Sequence, residues 1–415
     1  MAAFQASLQV LDQESYARHR LVSLPSESLP DLSPSSLRLR SKILGLTTNN
    51  FSYARRLGEA LGWWTIYPIP PNTPAPYDDK STYMRTPAWG YAEVVESTFS
   101  GVSVGQTLYG YLPIGTDAFD LQVEAAPGLK NQILVTNPHR KDMWVIYNRY
   151  RVEPPLADLE KSKGLDSMGW DSCMWGLFAT GYNMSTFAFG WDEKRRVHPW
   201  APGEWSADDA SLDDAAVVIL SASGKTSMSF AYALRHNRPK QHQPKLVIGI
   251  GSAATQSMTQ KSGFHDHAVL YSDAEKAKDI IAQASPRRVV LVDFGARDGT
   301  LDTWKETLSS MSTPFLFIAV GTEVKPQTKE EAAARWQKLG QDIIVNASHL
   351  REKGIEIGGD SYMDELESAF DEFKKKGAVP GSTLQWGSGM EEWDAGWEKL
   401  CRDEIPPTVS LVYKV

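Results

Sequence analysis

The stretch Val217–Leu234, "VVILSASGKTSMSFAYAL", decides how the rest of the chain is interpreted. A short apolar strand leads into a turn of small residues and then into an amphipathic helix, which is the layout of a phosphate-binding loop. The "GKT" within it is typical of nucleoside triphosphatases, but their loop needs a glycine five residues before the Gly-Lys pair. Ile219, inside the strand, occupies that position. We therefore reject a triphosphatase.

The turn fits a dinucleotide better than a triphosphate. Ser221, Gly224 and Ser227 have the spacing of a G-x-x-G-x-x-G variant in which small residues replace two glycines. Further hydrogen-bond donors around a phosphate are Ser223, Lys225 and Thr226. A plain strand-to-helix turn without a ligand explains this segment equally well, so the neighbouring strands must decide between the two interpretations.

Four more short apolar runs follow the turn: "KLVIGIGS", "HAVLYSD", "RRVVLVDFG" and "FLFIAVGTE". Helical patterns separate most of them, and apolar strands that alternate with helices predict a parallel sheet covered on both faces. Together with the first strand they predict an α/β fold with a doubly wound Rossmann domain. Asp293 and Gly321 stand at strand ends, where such sheets bind ligands, so both belong to the predicted cofactor site.

The end of the second strand indicates which cofactor is bound. NAD enzymes commonly have Asp or Glu there to bind the ribose hydroxyls. This sequence has Ser252 followed by small and hydroxyl residues, with Lys261 downstream and no carboxylate between them. That combination suits the 2′-phosphate of NADP(H).

The remainder of the chain predicts a second domain. Residues from about 40 to 155 alternate apolar and polar residues between Gly and Pro turns, which indicates an all-β region, a distorted barrel. The chain is helical and charged after residue 325 and closes with "TVSLVYKV", a strand expected to return to the β domain. We predict a β domain over 1–155, completed by 345–415, and a nucleotide-binding domain over 156–344.

This order of parts resembles the medium-chain dehydrogenase/reductase superfamily, and within it the zinc-free quinone-oxidoreductase and enoyl-reductase branch. The similar pieces are the turn at 217–234 and "LGLTTNNFSYARRLG", "GYAEVVES", "GVSVGQTLYGYLP" and "MWGLFATGY". The resemblance implies a GroES-like barrel, with Gly105 and Gly110 as turn glycines, together with the Rossmann domain. The family's catalytic-zinc "G-H-E" and four-cysteine lobe are absent, and two turn glycines are serines. These departures predict a subgroup of unknown function that works without metal.

The resemblance also implies individual site residues. Asn50 and Tyr53 correspond to the Asn/Asp and Tyr that border the active cleft, and Thr180 corresponds to a position near the nicotinamide amide. Lys261 and Tyr271 approximate the residues that hold the NADP 2′-phosphate in relatives.

A nicotinamide supplies a hydride, so the protein must orient the cofactor and polarise the acceptor. Negative charge then develops on the acceptor oxygen, and a tyrosine hydroxyl can stabilise it. We predict Tyr53 as the donor, Asn50 as a positioning residue, and Trp89 and Tyr91 as the aromatic wall of the substrate site. Ordinary barrel packing is the alternative for each of them.

Three functions stay open at the level of sequence. The first is an NADPH-dependent oxidoreductase that transfers a hydride to an enone, quinone or ketone without metal. The second is an enzyme of the same fold with non-redox chemistry, an isomerase or a carbon–carbon lyase. The third is a non-catalytic binding protein.

Composition restricts the partners. A net charge of −8 and a pI near 5.6 argue against a nucleic-acid or anionic-membrane binder. The N-terminus lacks the order of a secretory signal, and no apolar run reaches transmembrane length. We expect a cytoplasmic protein with a small-molecule substrate, and the resemblance adds a homodimer as the default assembly.

Overall fold

The computed structural model describes residues 5–26, 29–55, 57–296, 299–321, 334, 342–375 and 381–415. These residues form two compact units. The first unit contains the described residues up to 173 together with 383–415, and the second contains the described residues between them.

In chain order, the strands of the described residues are β1 (Ser7–Asp12), β2 (His19–Ser23), β3 (Ser36–Leu46), β4 (Tyr83–Met84), β5 (Pro87–Ser97), β6 (Thr107–Pro113), β7 (Ala118–Ala125), β8 (Gln132–Val135), β9 (Arg149–Glu153), β10 (Ala215–Leu220), β11 (Leu246–Gly251), β12 (His267–Leu270), β13 (Arg288–Phe294), β14 (Phe315–Gly321), β15 (Ile343–Ile344), β16 (Thr383–Ser388) and β17 (Val409–Lys414).

The α-helices of the same residues are α1 (Thr48–Ala54), α2 (Leu57–Ala60), α3 (Leu156–Lys163), α4 (Leu165–Asn183), α5 (Ala207–Ala210), α6 (Lys225–His236), α7 (Ala253–Lys261), α8 (Ala274–Ala284), α9 (Thr300–Ser309), α10 (Ala347–Lys375) and α11 (Gly389–Cys401). Gly359 interrupts α10 with non-helical backbone angles. Within the described ranges, no helix is both long and apolar enough to cross a bilayer.

Six strands of the first unit close into a barrel. They are hydrogen-bonded in the order β3, β5, β6, β9, β8 and β7, and a pairing of β7 with β3 completes the circle. Irregularities in the β3–β5 pairing, at Arg38/Leu39 and at Ser41/Ile43, bend β3. Its first half, Ser36–Arg40, pairs with β7, and its second half, Ile43–Leu46, pairs with β17. The predicted barrel is confirmed, and the C-terminal strand does return to it.

The two glycines expected in barrel turns have different places. Gly105 lies in the turn between β5 and β6 with a φ of 89°, a value that favours glycine. Gly110 lies inside β6 instead, where a Cβ would come within 2.1 Å of the Tyr150 ring. Gly110 is therefore corrected from a turn glycine to a packing glycine, because an aromatic ring covers its backbone.

A buried histidine connects the β1–β2 hairpin to α11. His19 Nδ1 lies 2.6 Å from Asp394 Oδ1, and its Nε2 lies 2.8 Å from Glu398 Oε2. Burial alone would lower the pKa of His19, but the hydrogen bonds to the two carboxylates outweigh it and raise this pKa. The charged imidazolium is therefore the form that holds the helix.

This clamp predicts a pH-dependent stability. Because the folded-state pKa of His19 is raised, its contribution is complete below the unfolded value near 6.5 and is lost as the pH rises through the folded value. His19→Gln is expected to reduce the free energy of unfolding by about 1–2 kcal/mol at pH 6, given partly exposed partners, and by less at pH 9. Thermal unfolding at both pH values measures this, with His267→Gln at an exposed histidine as control. A loss that is equal at both pH values would contradict it.

The second unit contains a parallel sheet in the order β12-β11-β10-β13-β14-β15. All five pairings are parallel, and every residue of β10 and β11 is buried. Helices α6 to α9 connect successive strands from β10 to β14. This is the strand order of a doubly wound dinucleotide-binding sheet, so the predicted Rossmann domain is confirmed.

The boundaries between the units differ from those predicted at 155/156 and 344/345. Helix α4 runs through residue 173, and its first half belongs to the first unit, where Asp171 accepts a hydrogen bond from Tyr91. Helix α10 belongs to the second unit, because Phe370 and Phe373 each pack 5.1 Å from the Phe178 ring. The first unit is therefore completed only from residue 383.

Candidate active site

The turn after β10 has a backbone conformation that glycine usually adopts, but a serine occupies it. Ser221 has a φ of 56°, in the left-handed region, which costs a residue with a Cβ roughly 1–2 kcal/mol. The Ser221 carbonyl accepts a hydrogen bond from the Gly224 N–H at 2.9 Å, and α6 begins at Lys225 directly after it. Ser221 therefore forms the tight turn without a glycine at this position.

Ser227 supports this turn from inside. Its hydroxyl lies 2.6 Å from the Ser221 carbonyl oxygen and 2.8 Å from that of Gly224, and the residue is fully buried. The Ser227 hydroxyl thus supports the backbone of the turn, and its predicted contact with a cofactor stays a prediction.

The start of α6 suits an anion. Ser223, Lys225 and Thr226 are partly exposed, and Gly224 is exposed. The first N–H groups of a helix have no partner within the helix, and the helix dipole adds partial positive charge there. A Cβ at Gly224 would come within 3.2 Å of turn atoms, so its absence leaves the backbone open to approach. The turn therefore fits the pyrophosphate of a dinucleotide.

The end of β11 carries hydroxyl groups but not the predicted lysine. Ser252 is the N-cap of α7, and its Oγ lies 3.3 Å from Thr255 Oγ1. Lys261 is the last residue of α7, so roughly 12 Å of helix separate it from Ser252. The structure places Lys261 at the far end of α7 from Ser252, and the contact of each with a cofactor stays a prediction.

Tyr271 follows β12 and does reach the turn. Its Oη lies 2.9 Å from Ser221 Oγ. Its backbone is held on both sides, since its N–H donates to Gly251 O at 3.0 Å and its carbonyl accepts from Trp304 Nε1 at 3.1 Å. The structure thus brings Tyr271 and Ser221 together.

Three further predicted cofactor residues have structural contacts of their own. Asp293 is buried, and its Oδ1 accepts the N–H groups of Gly295 and Ala296 at 2.9 and 2.7 Å, which stabilises the loop after β13. Gly321 ends β14, where a Cβ would come within 2.9 Å of a carbonyl oxygen. Thr180 is partly exposed, and its Oγ1 donates to a carbonyl one helical turn earlier at 3.0 Å.

In the first unit, aromatic side chains form two rows across β5 and β6. Trp89 pairs with Tyr111 and Tyr91 pairs with Tyr109, so these four side chains share one face. The ring centroids lie 5.2 Å apart in the first pair and 5.1 Å apart in the second. Tyr53 of α1 packs edge-on against Tyr111 at 4.9 Å.

Two more rings complete what we call the aromatic cluster: Tyr53, Trp63, Trp89, Tyr111 and Tyr147. Tyr147 lies 4.8 Å from Tyr111, and Trp63 lies 5.1 Å from Tyr53. Only Trp89 is partly exposed, and the other four are buried. Among the described residues, no group pairs with the buried Tyr111 hydroxyl.

The Tyr53 hydroxyl oxygen receives two N–H donors. Asn49 Nδ2 donates to it at 2.6 Å and Trp89 Nε1 donates at 3.1 Å. Burial raises the pKa of Tyr53 to about 12, although hydrogen bonds from Trp89, Asn49 and Tyr147 act in the opposite direction. The phenol therefore keeps its proton at neutral pH, and the Tyr147 hydroxyl is a further hydrogen-bond partner of Tyr53. Two N–H donors therefore hold the Tyr53 oxygen inside the aromatic cluster.

Two predicted site residues, Asn50 and Tyr91, have hydrogen bonds of their own. Asn50 belongs to the capping box of α1: its Oδ1 accepts from the Thr47 N–H at 2.8 Å and its Nδ2 donates to Pro87 O at 3.3 Å. Tyr91 is fully buried and donates to Asp171 Oδ2 at 2.5 Å. The structure therefore assigns Asn50 to the helix start and Tyr91 to packing against α4, and neither contacts the Tyr53 hydroxyl.

Sequence reasoning missed Asn49, Tyr111 and Tyr147. Asn49 stands four residues before Tyr53, and this spacing places two side chains on one helix face. Tyr111 lies opposite Trp89 in the β5–β6 hairpin, so its contact follows from the register. Tyr147 carries no such signal, because it comes from a short turn far along the chain.

Within the described ranges, no group of three or more His, Cys, Asp or Glu side chains is arranged to hold a metal ion. Neither cysteine forms a disulfide: Cys173 is buried, and burial raises the pKa of Cys401 to about 12, so that thiol stays protonated.

A family model matches most of the chain. The family described as "Protein of unknown function (DUF2855)" matches residues 44–406, which is most of the chain. The chain belongs to the DUF2855 family. No curated protein is significantly similar to this DUF2855 protein in sequence. The expectation that the chain falls in a group of unknown function is confirmed by this match.

Solved structures share the fold of the DUF2855 protein at low identity. CurA from Vibrio vulnificus in complex with NADPH is 12% identical with a TM-score of 0.52, and 99% of each chain is covered. A mutant form of enoyl thioester reductase from Candida tropicalis is 9% identical with a TM-score of 0.53, covering 99% of this chain and 100% of that one. Mycobacterial Rv1454c complexed with NADPH is 14% identical with a TM-score of 0.51 and the same coverage. The predicted fold class, a GroES-like barrel plus a Rossmann domain, is confirmed.

Proposed function

We propose that the protein is an NADPH-dependent reductase that acts on the polarised double bond of an enone, quinone or ketone. The observation that carries the proposal is the Tyr53 hydroxyl, whose oxygen takes N–H donors from Asn49 and Trp89. Because the phenol oxygen accepts these two hydrogen bonds, the phenol proton remains available to the acceptor oxygen of a substrate. A fold shared with proteins crystallised with NADPH supports the choice of partner.

The cofactor would be held by residues at two strand ends. The first turn of α6, with Gly224 open to approach, suits the pyrophosphate. Ser252 and Thr255 at the start of α7 suit the 2′-phosphate, and a carboxylate that would favour NAD is absent from "SAAT". When bound, NADPH supplies the hydride.

The chain's own residues polarise and protonate the acceptor. As a carbon of the double bond takes the hydride, an electron pair shifts toward the acceptor oxygen, where a hydrogen bond from Tyr53 stabilises it. The Tyr53 proton can then pass to the product, and water returns a proton to the phenol. Asn49 and Trp89 act as positioning residues, since they fix the phenol oxygen. This step needs no metal, because the hydroxyl hydrogen of Tyr53 stabilises the negative charge that develops on the acceptor oxygen.

Lys225 provides a test of the cofactor site. Lys225→Ala is expected to weaken NADPH binding roughly tenfold and NADH binding roughly threefold, because a charged donor is lost and NADPH carries the additional phosphate. Equilibrium titration of both cofactors measures this, with Lys240→Ala at an exposed lysine as control. Equal losses of affinity for the two cofactors would show that Lys225 does not contact the 2′-phosphate.

Titration with NADPH tests the proposed function as a whole. Energy transfer from the protein's 14 tryptophans to bound NADPH is expected to saturate, and NADPH is expected to be consumed with an enone, quinone or ketone. Binding without consumption across such a panel favours an isomerase or carbon–carbon lyase on this fold. If the protein does not bind NADPH at millimolar concentration, the result favours a non-catalytic binding protein and contradicts the proposed reductase function.

The more specific expectations stay predictions. They concern a cytoplasmic location, the absence of a nucleic-acid partner and a homodimer, and they rest on the sequence and on the resemblance.

A further inference from the structure

Tyr111 carries a hydroxyl in the aromatic cluster for which the described part of the chain offers no hydrogen-bond partner. Its side chain is fully buried. Buried hydroxyl groups of folded proteins nearly always have a partner, because an unpaired one costs free energy that a phenylalanine in the same place would avoid. The Tyr111 hydroxyl is therefore available to a ligand.

Neighbouring rings hold the Tyr111 phenol in place. Tyr111 lies opposite Trp89 in the β5–β6 pairing, and the two ring centroids are 5.2 Å apart. Tyr53 packs edge-on against the same ring at 4.9 Å, and Tyr147 lies 4.8 Å from it. Because these contacts restrict the ring, the hydroxyl is positioned before a ligand arrives, as an effective donor must be.

The Tyr111 hydroxyl acts as a donor that is separate from Tyr53. Burial raises the pKa of Tyr111 well above its usual value, and negative charge on Tyr53 or Tyr147 would raise it further, so the phenol keeps its proton at neutral pH. Tyr53 and Tyr147 are hydrogen-bonded to each other, but neither is hydrogen-bonded to Tyr111. The cluster thus presents two distinct phenol donors.

Two distinct donors suit a substrate with two oxygens. In the proposed function, Tyr53 binds the acceptor oxygen on which charge develops, so Tyr111 serves a different atom of the same molecule. We propose that Tyr111 determines substrate specificity: its hydroxyl donates a hydrogen bond to a second oxygen of the substrate, and conjugated acceptors with two carbonyl groups are preferred over those with one. This inference rests on the proposed function, because it takes Tyr53 as the donor to the first oxygen.

Two ketones of the same ring size test this preference. Cyclohexenedione carries two carbonyl oxygens, and cyclohexenone carries one. Tyr111→Phe is expected to raise the KM for the dione about threefold to tenfold, the usual loss for one hydrogen bond, and to keep kcat within about twofold, because the second oxygen gains little charge in the reaction. The KM for the monoketone is expected to stay the same.

Tyr109→Phe is the matched control. Tyr109 lies on the same face of β6, and its hydroxyl donates to Asp171 O at 2.9 Å. Its loss is expected to lower the melting temperature and to change neither KM. Tyr111→Phe is expected to melt at the wild-type temperature or above it, since it removes an unpaired hydroxyl. A lower melting temperature in Tyr111→Phe would overturn the inference, because the hydroxyl would then have a partner in the folded chain.

Steady-state reduction by the full chain separates the remaining outcomes. A KM for the dione that is unchanged in Tyr111→Phe, or a KM that rises alike for both ketones, overturns the role of Tyr111 and leaves the proposed function standing. A wild type that reduces only acceptors with one carbonyl group has the same consequence. If the wild type reduces no acceptor of either kind, the inference and the proposed function fall together.

Discussion

Tyr53→Phe is expected to lower the turnover number of acceptor reduction about 100-fold to 1,000-fold, the usual cost of removing one donor to a developing oxyanion. The ring remains, so the packing against Trp63 and Tyr111 is kept. NADPH binding should stay the same, because Tyr53 lies outside the residues proposed for the cofactor. Steady-state reduction and NADPH titration, run on the same protein preparation, measure the two effects. Asn49→Ala should show a smaller loss, since the phenol then keeps only one N–H donor.

Tyr67→Phe is the matched control for this change. Tyr67 is a buried tyrosine of the same unit whose hydroxyl donates to Tyr111 O at 2.7 Å, so its loss also removes a buried hydrogen bond. Its turnover number should remain close to that of the wild type. Because the pKa of Tyr53 is raised to about 12, turnover should also show no loss from phenol ionisation near pH 10. A Tyr53→Phe variant as active as Tyr67→Phe would contradict the assigned role.

Asp117→Asn is expected to reduce the free energy of unfolding of the first unit by about 3–5 kcal/mol, because it leaves a buried guanidinium without its charge partner. Asp117 accepts hydrogen bonds from Arg85 Nη1 at 3.0 Å and from Nη2 at 2.8 Å, and both residues are buried. Thermal and urea unfolding, followed by intrinsic fluorescence, measure the loss.

An exposed ion pair and a double substitution control for the mechanism. Glu93 pairs with Lys42 at 3.0 Å with both side chains about a third exposed, so Glu93→Gln should cost at most about 1 kcal/mol. The double variant R85M/D117L removes both charges and should recover most of the stability lost in Asp117→Asn. A double variant as unstable as the single one would show that shape, and not the unpaired charge, causes the loss.

The fold could be predicted because the sequence patterns that indicate it lie within short segments of the chain. The apolar runs and the small-residue turn at 217–234 give the strands, the helix and their order, and they need no distant contact. Barrel closure is different, since the pairing of Ser36–Arg40 with β7 joins segments about 80 residues apart. The place of α10 depends on Phe370 and Phe373 meeting Phe178, and no local pattern reports such a contact.

The sequence predicted the parts of the site that backbone geometry determines. It predicted the contacts between side chains less well. Ser221 holds the glycine-like turn that its spacing indicates. A joint role of Lys261 and Ser252 stays a prediction, since eight residues of helix intervene between them. Asn50 was chosen over Asn49 by resemblance, although the helical period of 3.6 residues favours the residue four positions before Tyr53. A capping contact uses the Asn50 amide instead.

Label transfer from NADPH tests the central claim most directly. NADPH that carries deuterium on the reactive face of its nicotinamide is incubated with the protein and a panel of enones, quinones and ketones, and the products are analysed by mass spectrometry. We predict that at least one product gains a deuterium from NADPH, and that Tyr53→Phe forms this product at least about 100-fold more slowly. Saturable NADPH binding without label in any product, or equal rates of labelling by wild type and Tyr53→Phe, would contradict the account.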